Sequence, residues 1–488
     1  MSSTDPTPEP DLTSMTPDPS LARAPRGMAP ACAARRVASA SPVARCVRMR
    51  RAIVRLTLVL LAQATVAMPA FAGALSSTRV TLDNGMRVVL APDSLAMAVD
   101  ASLWFAAGTR HEKPAQGGLA WLAARLAFRG GSDDPLAGLA ARGGTGNLIA
   151  TPDFTSFSAT VPPGALDAAL AFLAERTSPA PAKAADLAAE RAAVRGGRNR
   201  SERTPVARSL ARLWAAAWPA HAYAQTGAVP AIADALTPAD VDAWRKSRLA
   251  SPGAVLVLAG AFDPDSALAA VRARFGGRTR VTVPTAAALP APRAAGRAHE
   301  RLDVPVRLCL LGWRGPGASD ADAAALELLA VWLGGSPQGK LGRSLVRDWH
   351  LAVTAQAGYV AQKDGSLLWT MAVVAPDADS SAVESTLLDA ATQVARAAPE
   401  GPEFERARRQ LEAGALFALQ TARQRAQALG EAEMLSGDAE RAATRLDAVR
   451  KLTAADLQRV AARVMTDAGR ATVWMLPAPT PAAAGGGR

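Results

Sequence analysis

Cysteine, histidine and tyrosine are nearly absent from this 488-residue chain, with three, four and two copies respectively, and aromatic residues make up only 5% of it. Cys32 and Cys46 fall in an N-terminal leader described below, which leaves Cys309 alone. A lone cysteine excludes a disulfide framework and a Cys-x-x-Cys metal knuckle. Its place in the apolar run Val306–Leu311 predicts a small buried hydrophobe. His111, His221, His299 and His350 are widely spaced, and none forms with another ligand type a pair that suggests a metal site. Long apolar runs are missing as well. The best candidate, Leu56–Ala67, is too short for a comfortable membrane span.

What is present is alanine, arginine and length. At roughly 150 residues per domain the chain has room for two to four domains, and 49% of its residues are apolar, enough for a large core. The formal charge is +12, but residues 1–72 hold nine Arg against four acids, a balance of +5, which leaves +7 for the rest. Arginines scattered among Asp and Glu read as a solvated surface. A nucleic-acid partner would need a concentrated basic patch, so none is expected.

Residues 49–72 have the form of a secretory signal peptide. Met49-Arg50-Arg51 opens it, the apolar run follows, and Met68-Pro69-Ala70-Phe71-Ala72 closes it, with cleavage expected after Ala72. This predicts export across the inner membrane to the periplasm and no membrane span in the cleaved protein; an uncleaved anchor is the alternative. Residues 1–48 are rich in Pro, Ser, Thr and Arg and read either as a disordered extension or as a start assigned too early.

Beyond the leader, Arg79–Leu90 is two β-prone segments about Asn84-Gly85, a strong hairpin signal. A strand is expected over 97–105, a helix over 118–128 between the glycine pairs Gly117-Gly118 and Gly130-Gly131, a strand over 155–161, and helices over 163–174 and 184–194. Leu236-Thr237-Pro238-Ala239-Asp240 opens a helix that leads to the strand Ala254–Ala259, and Leu452-Thr453-Ala454-Ala455-Asp456 opens one that leads to Ala471–Leu476. Both begin with a Thr N-cap, and their 216-residue spacing indicates an internal duplication. Between the copies, Pro284, Pro290 and Pro292 mark a linker. The second half reads as a strand over 304–313, a helix over 321–333, a second helix ending at Trp349, two strands about Lys363-Asp364-Gly365 and long helices from Pro402. Strands and helices mix without strict alternation, which favours layered α+β over a doubly wound parallel sheet. The expected domains are 73–277 and 301–478, joined by the linker 278–300 and followed by a tail over 479–488.

The sequence resembles the pitrilysin/insulinase family of zinc metallopeptidases. The match runs through Asp83-Asn84-Gly85, Gly108-Thr109-Arg110-His111-Glu112, Gly117-Gly118-Leu119-Ala120, Phe128-Arg129-Gly130, Gly143-Gly144 with Asn147, Asp153 and Thr155, and His221-Ala222-Tyr223, and continues with Gly334-Gly335 and Leu345-Val346-Arg347-Asp348. The resemblance implies two homologous halves, each a mainly antiparallel sheet layered with helices, in a clam-like chamber.

It also implies His-x-x-Glu-His in the helix after Gly-Leu-Ala, two His to hold Zn²⁺ and a Glu to activate water. Those positions read Trp121-Leu122-Ala123-Ala124-Arg125. The family's third ligand is a Glu about seven residues beyond a supporting Glu. Glu190 matches the supporting residue, which puts Gly197 at the ligand position. Trp121, Ala124, Arg125 and Gly197 therefore replace ligand, base, ligand and ligand, and no zinc or other cofactor is expected. An Arg and a Tyr from the second half touch substrate in family peptidases. Arg347 fits the Arg position, while the Tyr falls on Val353 or Thr354. Trp121 reads as a space-filler more readily than as a recognition element, and Glu190 pairs with Arg125 or is simply solvated. By resemblance, then, this is a pseudopeptidase that partners a zinc-bearing homologue and encloses extended peptide, with Asn147 and Arg347 as candidate contacts. The alternatives are a metalloendopeptidase with an atypical site and a purely structural assembly subunit.

Overall fold

The computed structural model describes residues 75–130, 132, 134–177, 181–250, 253–279, 294–302 and 306–478. The signal peptide, the linker prolines and the tail over 479–488 lie outside these residues. Asn84-Gly85 makes the expected turn. Gly85 takes a φ of 87°, and strands β1 (Thr78–Thr81) and β2 (Arg87–Pro92) pair antiparallel across it. The Asn84 amide also donates 2.8 Å to the carbonyl of Phe275, tying the turn to the end of a distant helix.

The first sheet adds β3 (Val99–Phe105), β4 (Thr145–Ala150), β5 (Thr155–Val161) and β6 (Val255–Gly260) in the order β1-β2-β6-β3-β5-β4. The second contains β7 (Arg297–Leu302), β8 (Leu308–Gly315), β9 (Ala352–Ala361), β10 (Ser366–Val374) and β11 (Arg470–Pro477) in the order β7-β11-β8-β10-β9. From β2 onward the two orders coincide strand for strand. The parallel pairs are β2–β6 in the first sheet and β7–β11 in the second, and every other pair is antiparallel. The two Thr caps repeat as well: Thr237 accepts 3.3 Å from the Asp240 N–H, and Thr453 accepts 3.3 Å from that of Asp456. The fold is α+β, built from two homologous halves.

One face of the first sheet packs on α1 (Leu119–Arg129), α2 (Leu166–Arg176), α5 (Pro238–Arg248) and α6 (Pro264–Phe275), through side chains such as Leu122, Leu170, Val241 and Val271. Between α2 and α5 run α3 (Ala184–Glu202), longer than its apolar stripe suggested, and α4 (Pro205–Ala217). The second sheet packs in the same way on α7 (Ala323–Gly334), α8 (Ser380–Arg396), α9 (Pro402–Phe417) and α12 (Ala454–Val464). The helix expected to end at Trp349 is a single π-helical segment, Gly342–Asp348. Among the described residues, no helix is long and apolar enough to cross a membrane.

The remaining helices exchange partners. From the first half, α4 lays Leu213, Trp214 and Ala217 on the second sheet against Leu308, Leu310 and Val473. From the second half, α10 (Ala422–Ser436), followed by α11 (Glu440–Lys451), lays Ala426, Leu429 and Met434 on the first sheet against Trp104, Val255 and Val257. Each half thus covers the otherwise bare sheet face of the other, and the halves meet directly.

Candidate functional site

Helix α1 starts and stops where the glycine pairs stand. Gly118 is left-handed at φ 78°, and a Cβ there would lie 2.6 Å from Ile232 Cδ1 and 2.8 Å from the carbonyl of Ala231. Gly130 is left-handed at φ 60° and closes the last turn by donating to the carbonyls of Leu126 and Ala127. Glycine has no side chain with which to cap, so the first turn is satisfied from outside: the Glu112 carboxylate accepts from the N–H of Gly118 at 3.0 Å and of Ala120 at 2.8 Å. Burial pushes the Glu112 carboxyl up to about 7 in spite of these two donors.

Along α1, Trp121 and Arg125 lie one turn apart. Trp121 is half-buried and lines a cavity of about 50 Å³ with Thr109, Thr151, Gln225 and Pro230. Its buried indole Nε1 has no hydrogen-bond partner among the described residues. Ala124 is fully buried. Arg125 donates through Nε to Glu190 on α3 at 2.6 Å, and Arg129 reaches the other carboxylate oxygen at 3.5 Å. Of the two readings left open for Glu190, the ion pair is the one observed, and Glu190 is buried within it. Gly197 lies two turns further along α3, where the nearest atom to a Cβ would be the Arg200 guanidinium at 3.8 Å.

This set does not fit a zinc ion. An indole, a methyl group, a guanidinium and a bare backbone supply no anionic or imidazole donor, and the Glu190 carboxylate is already held by two arginines. Among the described residues, no group of three or more His, Cys, Asp or Glu is arranged to hold a metal.

The candidate substrate contacts sit elsewhere. Asn147 is half-buried on β4, the edge strand of the first sheet, opposite Ser158. Arg347 is exposed at the end of the π-helical segment and makes no ion pair among the described residues. Beyond it, His350 adopts φ 51°, and the first residues of β9, the edge strand of the second sheet, include Val353, 62% exposed, and Thr354, in register with Val373.

One cluster was hidden from sequence reasoning, although several of its members stood in the quoted motifs. Asp153 is buried and accepts from Arg110 at 2.7 Å and from the Tyr223 hydroxyl at 3.0 Å. Its second oxygen accepts from the backbone N–H of Lys363 at 3.0 Å, while the Tyr223 hydroxyl accepts from the N–H of Asp364 at 3.0 Å. Arg110 also pairs with the Asp364 carboxylate. Burial and the neighbouring Asp153 push the Tyr223 hydroxyl far above its ordinary range, so it stays protonated and donates. First-half loops thereby clamp the β9–β10 turn of the second half. Arg110, Asp153 and Tyr223 were visible in the sequence, but their attachment to Lys363-Asp364 more than a hundred residues away was not.

Residues 87–231 match the family model described as insulinase (peptidase family M16), and residues 235–411 match the one described as peptidase M16 inactive domain. Among solved structures, the chain is similar to a protease from Helicobacter pylori, at 19% identity and TM-score 0.74 over 83% of this chain and 100% of that one. It is similar to a peptidase M16 inactive domain from Pseudomonas fluorescens, at 17% identity and TM-score 0.71 over 83% and 98%. It is also similar to a chain of complex III2 from Candida albicans, at 15% identity and TM-score 0.70 over 82% and 96%. No curated protein matches the sequence. At these identities the structural likeness bears on the fold.

Proposed function

The chain belongs to the insulinase family, peptidase family M16, without the family's metal-binding residues, and from that premise we propose that it is the non-catalytic partner of a zinc-bearing homologue. The observation that carries this reading is the Arg125–Glu190 ion pair, which puts a guanidinium where a metal-binding helix would present an imidazole, on a scaffold that is otherwise intact. A protein that keeps the fold and neutralises the site retains the surfaces of a peptidase without its hydrolysis. The partner would supply zinc and the attacking water. This chain would supply wall and substrate contacts.

Two features support the contact role. β4 is an unpaired edge onto which an extended peptide can add by backbone hydrogen bonds, with Asn147 on its length. Arg347 is exposed and free of ion pairs among the described residues, so its guanidinium is available to a substrate carbonyl or a partner carboxylate. A leader of the secretory form over 49–72 supports a periplasmic setting for the pair.

The test is to look in the adjacent reading frames for a homologue that retains His-x-x-Glu-His and to co-express the two, followed by size exclusion and a peptide-hydrolysis assay. The expected result is co-elution and a rise in the partner's activity. A monomeric elution with no rise sinks the reading. The Candida complex likeness favours a second reading, a structural assembly subunit; under it the chain would co-elute in a larger assembly, and adding peptide would change nothing.

A further inference from the structure

A cleft of about 530 Å³ opens beside α3 and α4, closed on its far side by the loop 224–233 that leads toward α5. It shares Gln225, Ala228 and Pro230 with the small cavity under Trp121, so it is the outward continuation of the space beside the lost metal site. Its floor is apolar, formed by Val229, Pro230 and Ile232. The loop bordering it is neither helix nor strand from 229 to 233. The backbone N–H groups of Val229, Ala231 and Ile232 donate to no acceptor among the described residues.

The rim is cationic. Arg198, Arg208 and Arg212 line it, against Glu202 as the only acid in the lining. Arg208 and Arg212 already grip one carboxylate: Glu300 accepts from Arg208 Nε at 3.0 Å and from Arg212 Nε at 2.7 Å. Arg198 differs. Its partner is Glu202 at 2.8 Å, an i,i+4 pair in which both side chains are more than 40% exposed, and an exposed pair of this kind contributes little. An incoming carboxylate can displace Glu202 at small cost.

We infer that this cleft holds an extended acidic peptide segment, its backbone along residues 229–232, its small side chains on the apolar floor and a carboxylate on Arg198. This rests on the partner reading above and names the kind of substrate that the chain would hold within it.

The test is isothermal titration of the whole purified chain with an acetylated and amidated eight-residue peptide of alternating Ala and Glu. The counterpart of alternating Ala and Gln serves as control. The expected result is binding of the Glu peptide, at least tenfold weaker for the Gln peptide. R198E should weaken Glu-peptide binding at least tenfold. E202Q, which releases Arg198, should strengthen it severalfold. Both substitutions lie on an exposed helix face, and the opposite signs separate recognition from misfolding. Equal binding of the two peptides, indifference to R198E and E202Q, or no binding at all would overturn the inference. The partner reading stands or falls separately, on co-elution with the homologue.

Discussion

At the scale of single residues, the helix that the resemblance matches to the family's metal-binding helix is packed and paired in a way that resists conversion to one. Trp121 occupies volume, Ala124 is sealed in the interior and Arg125 is tied to Glu190. The triple substitution W121H/A124E/R125H restores a sequence motif and no site. Glu at 124 enters a fully buried position, Glu190 loses its shorter partner, and Gly197 still offers no ligand. We expect no stoichiometric zinc by elemental analysis, no hydrolysis of unfolded peptides and a lower melting temperature. Zinc-dependent cleavage would mean that the third ligand comes from a residue other than 197. Glu112 carries a second prediction at this scale. Its folded pKa of about 7 lies above the ordinary carboxylate value, so between about pH 4.5 and 7 the folded state binds more protons than the unfolded one, and its contribution to stability falls as pH rises. Measured by urea unfolding across that window, the stability of wild type relative to E112Q should fall by on the order of 3 kcal/mol from the acid to the neutral end. His111, held neutral by burial at about 4, acts in the opposite sense and loses stability as pH falls from about 6.5 to 4, so the difference between the two proteins is the quantity to read.

At the scale of elements, local chemistry was legible and partnership was not. The Asn84-Gly85 hairpin, the two Thr caps and the glycine boundaries of α1 are set within a few residues of themselves, so they can be read from short stretches. The π-helical segment near Arg347 cannot, because the first strand of the following hairpin and α8 shape it from outside. The exchange of α4 and α10 has only a faint local trace, a glycine. A Cβ on Gly430 of α10 would fall 2.0 Å from the Trp104 ring on β3, and a Cβ on Gly312 of β8 would fall 3.0 Å from Leu213 of α4. One interface puts the large side chain on the strand and the glycine on the helix; the other reverses them. G430A should therefore destabilise the whole chain by roughly 3 kcal/mol or more, since the Trp104 ring must leave its slot. Pairing it with W104F should recover part of that loss, a negative coupling in a double-mutant cycle of thermal or urea unfolding. Additive effects would show that the cost of G430A does not come from the Trp104 ring, and a G430A variant as stable as wild type would show that α10 can shift away from β3 without cost.

At the scale of the whole molecule, the duplication suggests two modules on a string, and the contacts argue against it. The region 73–277 has its own sheet and helices, yet one face of that sheet, with Val89, Trp104, Phe154, Val255 and Val257, is covered by Ala426, Leu429 and Met434 of α10. The second sheet likewise has Leu308, Leu310, Met371 and Val473 under Leu213 and Trp214 of α4. Burying a large apolar side chain contributes about 2 kcal/mol, so stripping either face removes an amount comparable with a typical domain's net stability. The clamp of Arg110, Asp153 and Tyr223 on Lys363-Asp364 adds a second attachment, and removing one half leaves Asp153 with its second oxygen unpaired. Residues 73–277 expressed alone should then aggregate, as should 294–478, because each exposes a continuous apolar sheet face. Expressed together as two chains, they should re-form the exchanged helices and elute as a soluble one-to-one complex, since every residue named in these contacts lies in one fragment or the other. The intact chain should correspondingly melt in a single transition by calorimetry. Soluble, cooperatively folded fragments on their own would show that the sheet faces find other cover and that the exchange of helices is not what joins the halves.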